Sequence, residues 1–340
     1  MKRLEKVMIE ISIIIPVLNE EKYIAKCLDS IIESDYDKSK MEVLLVDGGS
    51  KDKTIQVIRE YQKNYPFLKL LHNPKKIVPV AMNIGIRNAT GEYIIRLDAH
   101  SSYPPNYFLK LIHWHRKLDA DNVGGVIETQ VKSESPTSLA IKNVLSDRLG
   151  VGSAFRSGVH KIQEVDTVPF GCYKKEVFEK IGLYDERLVR NQDIELNKRL
   201  KRAGGKIYLV PDIRCTYYAR ETFKDLAKNN FENGRWNILT AYYTKTPSSL
   251  SFRHFVPLLF VLSLFFSLIF SLVDKRFLPL FLAIFLSYFI IILIRSWQIK
   301  QKTTLWHQIT AFGVLHFSYG VGSLVGLIDV FKKIIRGNNG

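Results

Sequence analysis

The chain has only three cysteines, Cys27, Cys172 and Cys215, far apart and without a Cys-x-x-Cys pair. An odd number at such spacing excludes a disulfide frame and a zinc site, and it fits a reducing compartment. No internal repeat shows in the soluble part, and no low-complexity tract. A formal net charge of +16 invites a nucleic-acid reading. No arginine-rich block or nucleic-acid motif supports it, so nucleic acid is not an expected partner. Much of the excess lies beside apolar spans, where it reads as attraction to anionic lipid headgroups. The last thing missing is charge itself: residues 254–273, 277–294 and 305–328 contain no Asp, Glu, Lys or Arg.

Those three stretches split the composition near residue 250. At about 1.5 Å per residue, each of the first two reaches roughly 27 to 30 Å, the hydrocarbon thickness of a bilayer. Only Asp274-Lys275-Arg276 separates them, which predicts a helical hairpin. The third is rich in Gly, Ser and His, with Gly322 and Gly326 at a small-xxx-small spacing. If it spans, Lys332, Lys333 and Arg336 fall on the far side from Arg295, Lys300 and Lys302, against the positive-inside rule. Length favours a span, so three spans are expected. The start of the chain resembles a signal peptide, but Glu10 breaks its apolar core and no small-residue cleavage site follows. The N-terminal domain is therefore expected in the cytoplasm. The expected layout is a catalytic domain at 1–220, an amphipathic interface helix and linker at 221–253, a transmembrane region at 254–330 with helices about 255–273, 277–294 and 305–328, and a basic tail at 331–340.

Before residue 220, short apolar runs alternate with amphipathic stretches, the pattern of an α/β domain with a parallel sheet. Strands are predicted at 11–16, 42–46, 68–72 and 93–97, with helices at 20–34, 53–65 and 80–88. Further on come a helix at 106–117, a strand at 123–131, a loop or lid around a helix at 133–161, a loop entering a helix at 167–180, a helix at 191–203, and two short strands at 206–210 and 214–218. An aromatic-rich amphipathic helix from 222 to about 243 follows the domain.

Ligands of open α/β sheets bind outside the carboxyl ends of the strands. Three polar clusters follow strands directly: Asn19-Glu20, Asp47-Gly48-Gly49-Ser50 and Asp98-Ala99-His100. They are predicted to converge on one cleft. With strand periodicity of two, Asp98 and His100 lie on one side and could face one cation. The alternative is that Asp98 caps the next helix and His100 is an ordinary loop histidine. Asp47 sits in a glycine turn where backbone N–H groups can approach a ligand. Asp193 opens a helix, where the macrodipole stabilises a carboxylate.

Taken in order, Pro16-Val17-Leu18-Asn19-Glu20, Val46-Asp47-Gly48-Gly49-Ser50, Asn83-Ile84-Gly85, Leu97-Asp98-Ala99-His100 and Asn191-Gln192-Asp193-Ile194-Glu195 resemble the motif series of family 2 glycosyltransferases with the GT-A fold. The resemblance covers about residues 10–240 and is closest to the succinoglycan-biosynthesis glucosyltransferase branch, where the usual Asp-x-Asp reads Asp-x-His. It implies a GT-A, Rossmann-like mixed sheet of the nucleotide-diphospho-sugar transferase type, followed by C-terminal transmembrane helices. It further implies that Asp47 hydrogen-bonds the nucleobase, that Pro16 and Glu20 line base and ribose, and that Asp98 and His100 meet the diphosphate and its Mg²⁺ or Mn²⁺. Asp193 would be the general base of an inverting displacement. Glu232-Asn233-Gly234-Arg235-Trp236 resembles the Gln-x-x-Arg-Trp motif, which implies that Arg235 contacts the diphosphate and Trp236 the acceptor sugar. For Trp236 the alternative is a membrane-interface anchor.

The implied protein is a multi-pass plasma-membrane hexosyltransferase with a cytoplasmic catalytic domain. It moves a sugar, typically from a UDP donor, to a lipid-linked or growing saccharide in cell-surface polysaccharide synthesis, in company with other assembly proteins. Alternatives are transfer directly to a polyprenyl phosphate, or a catalytically silent nucleotide-sugar-binding subunit.

Overall fold

The run Ile-Ser-Ile-Ile-Ile-Pro-Val is mostly β-branched and forms β1 (Ile11–Val17), an interior strand of the sheet. A computed structural model describes residues 8–151, 155–156, 158–245 and 254–337. The chain divides into two units, Met1–Glu128 with Ala154–Tyr218, and Thr129–Ser153 with Ala219–Gly340.

In the first unit, β1 pairs in parallel with β2 (Met41–Asp47) and β4 (Tyr93–Arg96), and β2 with β3 (Leu68–His72). Odd positions of β1 (Ile11, Ile13, Ile15) pack with Ile24 and Leu28 of α1 (Ile24–Ile32), Ile58 of α2 (Thr54–Asn64), and Phe108 and Leu111 of α4 (Tyr107–Leu118). On the other face, Ile14 joins Leu44, Val46 and Ile94 against Met82 and Ile86 of α3 (Val78–Asn88) and Leu196 and Leu200 of α7 (Gln192–Arg202). This is the two-sided cover that forces a parallel sheet's strands to be apolar throughout. Gly85 lets α3 come close, since a Cβ there would lie 2.5 Å from Ile14 Cγ2.

Beyond β4 the sheet turns antiparallel. Its order is β3-β2-β1-β4-β8-β6-β9-β5, with β8 (Cys172–Lys174), β6 (Asn122–Gln130), β9 (Ile207–Tyr218), β5 (Ser101–Ser102), and β7 (Gln163–Glu164) attached to β9. Two expectations are corrected here. The pair of short strands at 206–210 and 214–218 is one strand, β9, because the buried odd positions Ile207, Leu209, Ile213 and Cys215 keep their phase across Pro211 and the exposed Asp212. The stretch 167–180 contains β8 before α6 (Glu176–Ile181), a strand too short to show an alternation. All three cysteines are free and buried.

Glu42 is buried on β2. It accepts hydrogen bonds from Ser12 Oγ (2.7 Å), the Thr90 amide (2.6 Å) and Lys69 Nζ (2.6 Å). Burial alone would push its carboxyl up, but these donors more than offset it and hold it below the ordinary glutamate value. A depressed folded-state value contributes stability that is complete above about pH 4.5 and is lost as the pH falls through the lowered value. Glu42→Gln is therefore expected to cost about 1–3 kcal/mol at pH 7. The gap to wild type in thermal midpoint should narrow as the pH drops below that window.

The second unit gathers α5 (Pro136–Ser146), α8 (Phe223–Thr244), α9 (Val256–Val273), α10 (Leu278–Ile299) and α11 (Leu305–Ile335). Its core joins Ala140, Ile141 and Val144 of α5 to Leu226, Ile292, Ala311, Phe312 and Leu315. Asp147 accepts from Arg295 Nε at 2.8 Å. The loop or lid around a helix expected at 133–161 contains its helix as α5, capped by Ser135, and residues 152–154 and 157 of the segment lie outside the described residues. Among the described residues three helices are long and apolar enough to cross a membrane, Val256–Val273, Lys275–Ile299 and Leu305–Ile335. The last outruns its apolar stretch, because hydropathy and not helicity ends near residue 328.

Candidate active site

Three strand ends of the first unit are tied together. After β1, Asn19 adopts φ 56°, and its amide donates to Ser50 Oγ at 2.9 Å while its Oδ1 accepts from the Lys51 amide at 2.8 Å. The Glu20 amide donates to Thr54 Oγ1 at 2.7 Å. These bonds pull Asn19–Glu21 out of helix geometry, so α1 begins at Ile24 and not at residue 20. After β2, the Asp47 carboxylate accepts from the Gly49 amide (2.7 Å), the Ser50 amide (3.2 Å) and Ser50 Oγ (2.6 Å), in a turn that needs φ +83° at Gly49. After β4, His100 Nδ1 lies 3.6 Å from Glu20 Oε1. The expected convergence of the three clusters is present.

At the centre stands a residue to which sequence reasoning gave no role. Arg96 closes β4, and its guanidinium reaches Asp98 Oδ1 at 3.6 Å with Nη2 and Asp193 Oδ2 at 3.5 Å with Nη1. Asp193 is held in the first turn of α7, where its Oδ1 accepts from the Ile194 amide at 3.0 Å. The buried Arg96 Nε has no hydrogen-bond partner among the described residues. Burial by itself would lower the Arg96 pKa, but Asp98 and Asp193 more than offset it and raise it. The side chain is thus a fixed cation between two carboxylates contributed by a strand end and a helix start.

The backbone of Asp98 is pinned by Tyr103, whose Oη accepts from the Asp98 amide and donates to its carbonyl, both at 3.2 Å. Around His100 lies an aromatic and basic rim, with the Tyr217 ring 5.2 Å away between centroids and the Arg156 guanidinium 4.7 Å from the Tyr217 ring centre. Burial pulls the Arg156 pKa down, against the opposing influence of Tyr217, Cys215 and Asp98. Arg156 and Tyr217 were also missed. The one available signal for Arg96 was its place: it shares the strand side of Ile94, the face that α7 covers.

The remaining predicted residues divide. Pro16 sits in β1 opposite Val46. Asn83 turns out to be a brace, with its Nδ2 donating to the Tyr184 carbonyl and its Oδ1 accepting from the Tyr184 amide, both at 2.9 Å. Arg235 and Trp236 lie on α8 of the second unit. There Arg235 Nε donates to Asp329 Oδ2 at 2.7 Å, and the Trp236 carbonyl accepts from Thr240 at 2.6 Å.

Among the described residues no group of three or more His, Cys, Asp or Glu side chains could hold a metal ion by itself. One carboxylate and one imidazole, Asp98 and His100, with Glu20 beside them, suit a divalent ion that takes most of its ligands from substrate phosphates and water. The donor set therefore fits an ion that enters with its substrate.

The family profile described as Glycosyl transferase family 2 matches residues 12–182. The chain is 37% identical over 236 residues to the dolichyl N-acetyl-alpha-D-glucosaminyl phosphate 3-beta-D-2,3-diacetamido-2,3-dideoxy-beta-D-glucuronosyltransferase of Methanococcus voltae, covering 66% of this chain and 71% of that one. It is 31% identical over 228 residues to the succinoglycan biosynthesis protein ExoA of Rhizobium meliloti, covering 66% and 67%. In fold it is similar to a mannosyltransferase from Pyrobaculum calidifontis in complex with GDP-Man and Mn2+, with 17% identity, a TM-score of 0.53, and 96% and 80% of the two chains covered.

Proposed function

The chain belongs to glycosyl transferase family 2, and from that premise we propose an inverting enzyme that passes a sugar from a UDP-linked donor to a lipid-linked saccharide. It is a glycosyltransferase with the GT-A fold and membrane-crossing helices. The observation that carries the proposal is Arg96, which draws Asp98 of the donor side and Asp193 of the acceptor side into one cleft.

The donor's base rests against the Pro16 to Glu20 segment and the Asp47 turn. A carboxylate has about four lone-pair directions. Three donors occupy Asp47, which leaves one for the base's imide N–H. Asp98 and His100 take the diphosphate end and hold a divalent cation there, with Arg156 adding positive charge. Bound Mg²⁺ or Mn²⁺ supplies charge neutralisation for the departing diphosphate. Asp193 accepts the proton of the acceptor hydroxyl as that oxygen attacks the anomeric carbon from the face opposite the leaving group. The hairpin α9–α10 anchors the chain in the bilayer, where an isoprenoid-linked acceptor resides, and the basic residues flanking it favour the cytoplasmic side. The M. voltae relative, whose name specifies a dolichyl phosphate-linked sugar, supports a lipid-linked acceptor. Arg235, held by Asp329 and Glu232, is proposed to serve the diphosphate only if that pairing opens; Trp236 is left to the acceptor.

Purified protein with lipid extract and a panel of nucleotide sugars should release nucleoside diphosphate from one donor. A chelator is expected to lower that rate by about 10²-fold or more, and Mn²⁺ or Mg²⁺ to restore it. Full activity in chelator would remove the cation, and no release from any donor would overturn the enzyme.

A further inference from the structure

We infer that α11 does not cross the membrane but lies in the headgroup layer as a pair with α8, so that only α9 and α10 span and the C-terminus stays on the catalytic side. This rests on the reading of α9–α10 as a membrane hairpin.

The first observation is the partner of α11. The two helices run side by side in the same direction along most of their length. The Phe223 ring stacks on His307 with centroids 6.4 Å apart, Arg235 meets Asp329 at 2.7 Å, and Lys333 lies 5.5 Å from the Tyr243 ring centre. Between these points the backbones touch. A Cβ on Gly234 would fall 2.0 Å from the Tyr319 carbonyl oxygen, and one on Gly322 would fall 1.9 Å from that of Phe231. The small-residue spacing on α11 thus serves α8 and not another span.

A helix accompanied this closely shares its partner's depth. α8 carries Lys224, Asp225, Lys228, Glu232 and Arg235, and ionisable groups of that number are too costly in hydrocarbon. If α8 stays in the interface, so does α11. The apolar residues that α11 leaves exposed, Phe317, Val321, Leu327, Ile328 and Phe331, then dip into the acyl boundary as on an interfacial amphipathic helix.

The second observation is where α11 meets the hairpin. Gly320 lies against Pro257 and Val261, and Phe317 against Phe260 and Tyr288. Tyr288 Oη and His316 Nδ1 are 3.1 Å apart. On α9 these contacts fall in the first third of the helix, next to the open end of the hairpin, and on α10 they reach no farther toward the tip than Tyr288 at its middle. Farther out, Phe265, Phe266, Phe270 and Leu272 are exposed, the last at 78%, as a lipid-facing hairpin requires. A third span would run beside that part. The arrangement also removes the charge conflict, because Lys332, Lys333 and Arg336 join Arg295, Lys300 and Lys302 on one side, facing anionic headgroups.

Full-length protein in sealed inverted vesicles tests this with three single-cysteine reporters and a membrane-impermeant maleimide. The reporters are Lys63→Cys on the exposed surface of the catalytic unit, Lys275→Cys at the exposed hairpin tip, and a cysteine appended after Gly340. The native cysteines are buried and give low background. The appended cysteine is expected to label with Lys63→Cys in intact vesicles, and Lys275→Cys only after detergent. Labelling of the appended cysteine together with Lys275→Cys would overturn the inference and restore three spans. Labelling of all three in intact vesicles would instead overturn the hairpin on which it rests.

Discussion

Asp193→Asn is expected to lower the rate of sugar transfer by about 10²–10⁴-fold, the range for loss of a positioned general base. Affinity for the donor nucleotide should be nearly unchanged. Asparagine keeps the size of the side chain and its oxygen can still accept from the Ile194 amide, so α7 should begin where it does now. What disappears is the carboxylate proposed to take the acceptor's proton. Single-turnover transfer and nucleotide titration on the same preparation separate these two effects. Transfer at the wild-type rate would place the base elsewhere, and a matching loss of nucleotide binding would make Asp193 a donor residue.

Arg96→Gln should affect both activity and stability. Removing the guanidinium leaves Asp98 and Asp193 facing each other without their shared cation. Breaking a fully buried ion pair costs about 3–5 kcal/mol. Here Asp98 and Asp193 keep 27% and 36% side-chain exposure, so water screens part of the loss. About 2 kcal/mol is expected. The rate should fall by about 10²-fold, the penalty for displacing reacting groups by about 1 Å. Arg96→Lys sharpens the test, since an ammonium is a point charge and cannot extend one arm to each carboxylate. It should recover part of the thermal stability and little of the rate. Full recovery of rate by lysine would show that charge alone is needed and that bridging is not.

Much of this site is legible in the amino-acid sequence, and for an identifiable reason. Asp98 and Asp193 each follow directly from a local signal, a strand end and a helix start, and their order in the chain supplies the rest. β1 to β4 are legible because each is a short segment rich in apolar residues and bounded by turn chemistry. Arg96 is hidden because its function is a relation between residues 96, 98 and 193, and only the fold brings the third near the first two. Asn83 is hidden in the same way: it stands in the motif series without a role, and only the fold shows its amide bracing Tyr184. Asp47 lies between, since its turn can be foreseen but not how many of its lone pairs that turn consumes. β8 is invisible for want of length, and β9 is cut in two because Pro211 reads as a stop unless the phase on either side is compared.

The most direct measurement follows radiolabelled sugar from a nucleotide donor into the lipid phase of membranes supplied with wild-type protein or with Asp193→Asn. Label should enter the lipid fraction with the wild type, require a divalent cation, and stay near background with the variant. Equal labelling by the two proteins, or none by the wild type with any nucleotide sugar, would contradict a transferase working through Asp98 and Asp193.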